Sequence, residues 1–362
     1  MRLRYGTNPH QPAVITPVQD GSSPFRVING EPSYINVLDA VGAWQLVQEA
    51  SGAFDTPAAA SFKHVSPAGA ALAGSIDGAM KRTYGLSTSS PVTSAYVRAR
   101  DADPKSSFGD FVAVSHPVDA ELAALLKRLT CDGIVAPGYE EGVVETLSGK
   151  KGGTFLVLEA DPSFEPPVEE VREIYGLRLT QRADNLPLTR SRLTEPVVGT
   201  LTAAAIDDLL LGLIVLRYTQ SNSVAYLKDG MTIGIGAGQQ SRVDCTRLAG
   251  EKADIWWLRR HPDVLAGCIQ PRLSERIAHQ LAYLESGRLS GTDHRAWLAG
   301  MTEVAMVSDG ALPFRDNVDQ ARRHGVRYVA EPGGSIRSAE IAEACRELDI
   351  ALTWTGIRLF RH

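Results

Sequence analysis

A lysine directly beside a histidine, Lys63-His64, is the pair in this chain best suited to chemistry. A lysine ammonium can stabilise developing negative charge, and an imidazole takes up a proton near neutral pH. The pair closes a run of small and apolar residues, Ala58 to Phe62, and is followed by Val65, Ser66, Pro67, Ala68 and Gly69. In open α/β sheets ligands gather at strand ends, where connecting loops form a crevice. Pro67 and Gly69 are suited to a tight turn at such a place. A surface lysine beside a capping histidine is the alternative reading of the same dipeptide.

Two glycine-bearing segments are further candidates. In GIGAGQQSR, Gly234 to Arg242, the glycines follow GxGxG spacing and no acidic residue follows at the distance a dinucleotide loop requires, so a Rossmann reading is set aside. The glycines would instead allow close backbone approach, with Gln239, Gln240 and Arg242 facing a polar ligand. Arg242 could offer an oxyanion the planar two-bond fork of a guanidinium. EPGGSIRS, Glu331 to Ser338, either presents backbone N–H donors to a phosphate or carboxylate or is an ordinary strand-to-helix turn. Arg4, Tyr5, Asn8 and His10 open the chain, and Phe360, Arg361 and His362 close it, where a frayed tail is the alternative. The acids of Cys131-Asp132-Gly133 and Phe314-Arg315-Asp316 could cap or pair. His116, His261, His279, His294 and His324 show no metal-ligand spacing and no HExxH occurs, so no metal is expected. Trp256 and Trp257 are expected in a core or interface.

These residues must be positioned by elements legible in the hydrophobic pattern. The spacing predicts helices over Val37 to Gln48, with Asn36 as its cap, Val118 to Leu129, Ile206 to Arg217, and Ser338 to Glu347, with Ser338 as cap. Strands are expected at Ala58 to Phe62, Phe108 to Ser115, Gly133 to Ala136, Thr154 to Leu158, Thr232 to Gly236, Val304 to Ser308, Val326 to Ala330 and Ile350 to Trp354. Strands alternating with helices imply the α/β class with parallel or mixed sheets. A break falls in the Pro-rich, charged stretch from Asp161 to Arg192. SSFGDF (Ser106 to Phe111) and SDGALPFRD (Ser308 to Asp316) echo each other, a faint hint of duplication.

The 362 residues, 44% hydrophobic and 22% charged, suffice for about two domains and exclude a disordered chain. A net charge of −5 supplies no basic field for nucleic acid or anionic lipid. The most apolar stretch, Ala203 to Leu216, is interrupted by Asp207 and Asp208 and is too short to span a bilayer. MRLRYGTNPHQP lacks a secretory signal, and Cys131, Cys245, Cys268 and Cys345 form no CxxC; a cytoplasmic protein with reduced cysteines is expected.

Taken in order, LRYGTNPHQ, INVLDAVGAWQLV, AAASFKHVSPAGAA, SSFGDFVAVS, CDGIVAPGYEE, YTQSNSVAY, IGIGAGQQSRVDCTRLAG, PFRDNVDQA and the terminal RLF segment closely resemble the transformylase portion of the bifunctional purine-biosynthesis proteins, from Leu3 to His362. The resemblance implies formyl transfer from 10-formyltetrahydrofolate to the 5-amino group of 5-aminoimidazole-4-carboxamide ribonucleotide (AICAR). It implies two intertwined cytidine-deaminase-like α/β/α subdomains with mixed sheets, residues 1–167 plus 260–302 and 168–259 plus 303–362. A homodimer with active sites at the interface is implied, and the family admits a monovalent cation near the nucleotide. The zinc-deaminase signature HxE…PCxxC is missing, which disfavours deamination. Because Met1 matches near the transformylase start, ring closure to IMP is expected from a separate cyclohydrolase.

By the same resemblance, Lys63 and His64 match the catalytic pair, His64 as general base and Lys63 as oxyanion stabiliser. Arg4, Tyr5, Asn36, Gly109, Asp132, Asn222, Arg242 and Arg358 match positions that hold AICAR. Val243, Asp316, Ser335 and, by its place in the loop, Ile336 match folate-side positions. One departure stands out: Ala311-Leu312 replaces two site-lining phenylalanines, which would weaken stacking or widen the pocket. Arg361 stands where histidine is frequent. The alternatives are a formyltransferase acting on a related aminoimidazole or C-nucleotide and a non-catalytic nucleotide-binding relative.

Overall fold

Elements β1 (Phe25–Asn29), α1 (Tyr34–Phe54), β2 (Ala58–Lys63), β3 (Ser66–Leu72), α2 (Gly78–Tyr84), α3 (Pro91–Asp101), β4 (Asp110–Val114), α4 (Ala120–Arg128), β5 (Cys131–Ala136), α5 (Val143–Ser148) and β6 (Leu156–Ala160) make up the first part of a computed structural model that describes residues 1–18, 23–289 and 291–362. A two-stranded ribbon follows, β7 (Glu169–Ile174) and β8 (Leu177–Arg182). Then come α6 (Ala203–Arg217), β9 (Val224–Lys228), β10 (Met231–Gly236), α7 (Arg242–Leu258), α8 (Pro262–Ala266), α9 (Leu273–Glu285) and α10 (Gly291–Ala299). The last elements are β11 (Val304–Ser308), α11 (Asp316–Arg323), β12 (Val326–Glu331), α12 (Ser338–Glu347) and β13 (Ala351–Trp354).

The α/β class with mixed pairing is as the sequence implies, but apart from β7 and β8 the strands of the described residues form one sheet of 11, in the order β1-β6-β5-β4-β2-β3-β10-β9-β11-β12-β13. Its two halves repeat one design. β3-β2-β4 and β10-β9-β11 are antiparallel, then β4-β5-β6 and β11-β12-β13 run parallel. Even the antiparallel edge strand β1 on β6 has its counterpart, a single bridge from Val198 to Leu352 of β13. The halves meet where β3 and β10 pair antiparallel. The duplication is therefore real, but the echoing segments are not its equivalent positions. Ser106 to Phe111 leads into β4, whereas Ser308 to Asp316 leaves β11, the counterpart of β4.

Alternation along the strands sends side chains to two cores. Ala58, Ala60, Phe111 and Ala113 face α1 and α6, while Ala59, Val112 and Val114 face the helices of the other layer. In that second layer Gly69 and Gly234 permit the closest contacts: an added Cβ would lie 2.1 Å from the Ala99 carbonyl oxygen of α3 and 2.1 Å from that of Ala249 in α7. Gly236 lies likewise under Cys245 of α7. The glycines of GIGAG thus serve helix-on-strand packing, with the period-two spacing that puts both on one face. Arg259 and Arg260, following α7, share the carboxylate of Asp101 in α3 at 2.6 and 2.8 Å. Of the segment 260–302, α9 packs on α2 through Arg276 and Gln280, and α10 packs on α7.

Several local readings are corrected. The cap of α1 is Ser33, with Asn36 as the reciprocating member of a capping box; Arg337 stands at the N-cap position of α12 without a side-chain capping bond, and Ser338 is already helical. The tight turn expected at Pro67 and Gly69 is instead strand β3, so both lie in the sheet and the turn is His64-Val65. No described helix is long and apolar enough to cross a membrane, and the four cysteines are buried and unpaired.

Asp208, which looked like an interruption of an apolar helix, accepts the amides of Gly230 and Asp229 at 2.6 and 3.0 Å, clamping the β9-β10 turn. Burial first, then the neighbouring Asp229 charge, pushes its carboxyl up to about 6 against the amides' pull. A raised folded-state value means the proton stabilises the fold, fully below the unfolded value near 4 and no longer above about 6. Urea unfolding of the native protein and Asp208→Asn should therefore diverge across this window. The native protein gains up to about 3 kcal/mol relative to the variant on acidification; parallel pH curves would contradict this.

Candidate active site

Following the register across the sheet brings the ends of β1, β2, β10, β11, β12 and β13 and the starts of β3, β4, β5, β6 and β9 to one edge. All of the expected site residues lie along it. Because the halves are antiparallel to each other, the first offers the amino ends of its parallel strands and the second the carboxyl ends. The residues gather in three groups.

The first group is built on the β2-β3 hairpin. Lys63 pairs with Ser66, leaving a two-residue turn in which His64 (φ 53°) and Val65 (φ 58°) are both left-handed. Such turns favour Asn-Gly or Asp-Gly, and the matching turn in the second half is Asp229-Gly230. Histidine tolerates the conformation moderately well; β-branched valine is a true outlier there. The turn is exposed, with buried Asp39 of α1 accepting the Val65 amide at 2.7 Å. Burial raises the Asp39 carboxyl, while the amides of Val65 and His64 and the His64 charge oppose the rise.

Lys63 Nζ donates to the Phe108 carbonyl at 2.6 Å, next to Gly109, whose φ of 77° suits glycine. That loop is anchored from beneath by buried Asp110, which receives Arg100 at 2.7 Å and Tyr96 at 3.1 Å and lies 2.6 Å from Ser61 Oγ. Asp132 pairs with Lys151 at 2.5 Å. Arg4 stacks on the Tyr5 ring and donates to its hydroxyl, while the backbones of Arg4 and Tyr5 bond to Pro32 and Tyr34 at the start of α1. Asn36 lies on the same helix, one turn before Asp39; its Oδ1 is engaged in the cap.

The second group surrounds Asn222, which follows a cis peptide bond. Its Nδ2 donates to the carbonyls of Gln239 and Gln240, and its Oδ1 accepts from Arg242 Nη2 at 2.6 Å. Arg242 is buried and ion-paired with buried Asp309, with Nη1 also 3.1 Å from Ser308 Oγ. Both terminal nitrogens therefore have internal partners, and the guanidinium orders Asn222. Asp309 also receives Ser221 Oγ and the Ser223 amide, at 2.6 and 3.0 Å. Sequence reasoning did not single out Asp309; an acid directly after an apolar strand was the available signal. The C-terminal tail is docked: Leu359 bonds to Asp309, and Arg361 exchanges two bonds with Ser221. Phe360 lies under both Arg242 and Arg358. Ser66 Oγ accepts the Gln220 amide at 3.1 Å, joining this group to the hairpin.

The third group comprises Asp316 at the start of α11 and Ser335 and Ile336 between β12 and α12, with half-buried Val243 at the start of α7 nearer the second group. The Ser335 and Arg337 amides are bonded within the loop, to Ser338 Oγ and Ser335 Oγ, which reduces the donors available to an anion. Ile336 is fully exposed. Leu312 is wholly buried, its amide held by Glu331 Oε2 at 3.0 Å, so only half-buried Ala311 bears on any widening of the site. Phe314, half exposed beneath Arg337, supplies an aromatic surface close by.

This arrangement offers an accessible imidazole, an ammonium with one fixed acceptor, several arginines and exposed rings along a single edge. The family profile described as AICARFT/IMPCHase bienzyme matches residues 1–252. The chain is 32% identical over 367 residues to the bifunctional purine biosynthesis protein PurH of Magnetococcus marinus, covering 99% of this chain and 59% of that protein. It is also 32% identical over 369 residues to the PurH proteins of Xanthomonas axonopodis pv. citri and Xanthomonas euvesicatoria pv. vesicatoria. It covers 58% of each, so it spans well under two thirds of the curated relatives it matches.

Proposed function

The chain belongs to the AICARFT/IMPCHase bienzyme family, and from that premise we propose that it transfers the formyl group of 10-formyltetrahydrofolate to the 5-amino group of AICAR. The observation that carries this reading is the Lys63-His64 turn, exposed on the same sheet edge along which the other matched positions lie. The AICAR amine is a poor nucleophile because its lone pair is delocalised toward the carboxamide. As it attacks the formyl carbon, His64 takes its proton, which contributes ~10²–10⁴-fold. The carbonyl oxygen becomes an oxyanion opposite the Lys63 ammonium; collapse then expels N10 of tetrahydrofolate, which is protonated.

In this reading Arg4, Tyr5, Asn36, Gly109, Asp132, Asn222 and Arg358 hold the nucleotide, with Arg242 ordering Asn222. Val243, Asp316, Ser335 and Ile336 face the folate. A second copy of the chain covers the edge, a role supported by exposed Phe108, Phe314, Ile336 and Phe360 and by the solvent-exposed β7-β8 ribbon.

Purified protein supplied with AICAR and 10-formyltetrahydrofolate should yield formyl-AICAR and tetrahydrofolate. No transfer would overturn the reading, and IMP among the products would overturn formyl-AICAR as the end product. A higher kcat/KM for another aminoimidazole would move the assignment to the related acceptor, as the smaller Ala311 would allow. In Lys63→Met, kcat should fall about 10²–10³-fold with nucleotide binding kept, the usual effect of removing an oxyanion stabiliser. An unchanged kcat would remove Lys63 from that role.

A further inference from the structure

The two halves of the sheet carry the same device at their hairpins. In each, an aspartate from the helix preceding the hairpin reaches the two-residue turn and accepts backbone N–H from it, two amides in the second half and one in the first. Asp208 of α6 holds Asp229 and Gly230, and Asp39 of α1 holds Val65. In the second half the clamp restrains residues suited to a left-handed turn. In the first it restrains a histidine and a β-branched valine, whose left-handed backbone persists only where surrounding structure over-determines it.

We propose that Asp39 is the positioning residue of the catalytic hairpin: its buried carboxylate holds the Val65 amide, keeps the His64-Val65 turn left-handed and so aims the imidazole outward beside Lys63. The duplicated fold supplies the comparison that separates this role from ordinary turn support, because Asp208 does the same work where no catalytic side chain is carried. The proposal rests on His64 being the base, and it adds a residue that touches neither substrate nor the reacting atoms. Lys63 ends β2, so a relaxed turn would also shift the ammonium away from the Phe108 carbonyl.

Three variants test it. Asp39→Ala should lower kcat about 10²-fold with the KM for nucleotide little changed, the scale expected when a reacting group is misplaced by about 1 Å. Asp208→Ala should lose comparable thermal stability and keep kcat. Asp39→Ala combined with Val65→Gly should recover much of kcat, because glycine enters the left-handed region without the clamp. Wild-type kcat in Asp39→Ala, or equal losses in the Asp39 and Asp208 variants, would overturn the proposal while leaving formyl transfer by the native protein intact. A crystal structure of Asp39→Ala reads the clamp without any activity. His64 and Val65 should leave the left-handed region, and an unchanged turn would overturn the proposal whatever the protein catalyses.

Discussion

His64→Ala should bind AICAR with near-native affinity and turn it over ~10²–10⁴-fold more slowly, the contribution of a general base. The imidazole sits on an exposed turn, and the packing of β2 and β3 involves neighbouring positions such as Phe62, Pro67 and Ala68. Its removal therefore takes away a proton acceptor and little of the fold. Alanine does incur some strain at φ 53°. His64→Asn provides the matching control, because asparagine visits the left-handed region readily yet has no basic nitrogen. Both variants should show the same kinetic defect, with Asn the more stable. Single-turnover formyl transfer, beside nucleotide binding by calorimetry, separates the effects. Near-normal turnover in either variant would dismiss the imidazole as base.

The largest effect on stability is expected from Gly234→Ala. The new Cβ would stand 2.1 Å from the Ala249 carbonyl oxygen and 2.9 Å from the Ala253 nitrogen, both backbone atoms of α7. Neither can swing aside as a side-chain tip would, so α7 must lift from β10. Arg242 and Cys245 ride on that helix. Overpacking in a close-packed core typically costs about 1–3 kcal/mol, and helix displacement raises the expectation to about 3–5 kcal/mol. Loss of soluble protein, or a sharply lowered melting temperature, should follow. Gly52→Ala is the counterpart: Gly52 lies exposed in α1 with open space around its missing Cβ. Helix propensity alone should make that variant as stable as the native protein or more so, by up to about 1 kcal/mol. Equal melting temperatures for Gly234→Ala and the native protein would refute the packing role of GIGAG.

Segments whose burial follows from local pattern are legible in the sequence alone. Val304 to Ser308 and Ser338 to Glu347 have the expected boundaries, and Ala58 to Phe62 is short by a single residue. Buried strands appear as apolar runs and amphipathic helices as spaced ones, whatever their distant neighbours. Lys63-His64 was recognisable because the two groups are adjacent in the chain. The β3 strand was missed because Ser66 and Pro67 look like turn residues, although Pro67 pairs opposite Phe62.

By itself, then, the sequence determined the α/β class, most core strands and membership of a family, and it singled out Lys63-His64 as the candidate pair. Tertiary structure decided which turn bears His64, that Gly234 and Gly236 pack against a helix, that Asp39 bonds the Val65 amide, and that Asp309 pairs with Arg242. The physical reason is range. Periodicity and propensity act within a few residues, whereas Val65 finds Asp39 26 positions away and Arg242 finds Asp309 across 67. Charge compensation and the support of a strained turn depend on which elements the sheet order makes neighbours, and that order emerges only when the whole chain has packed.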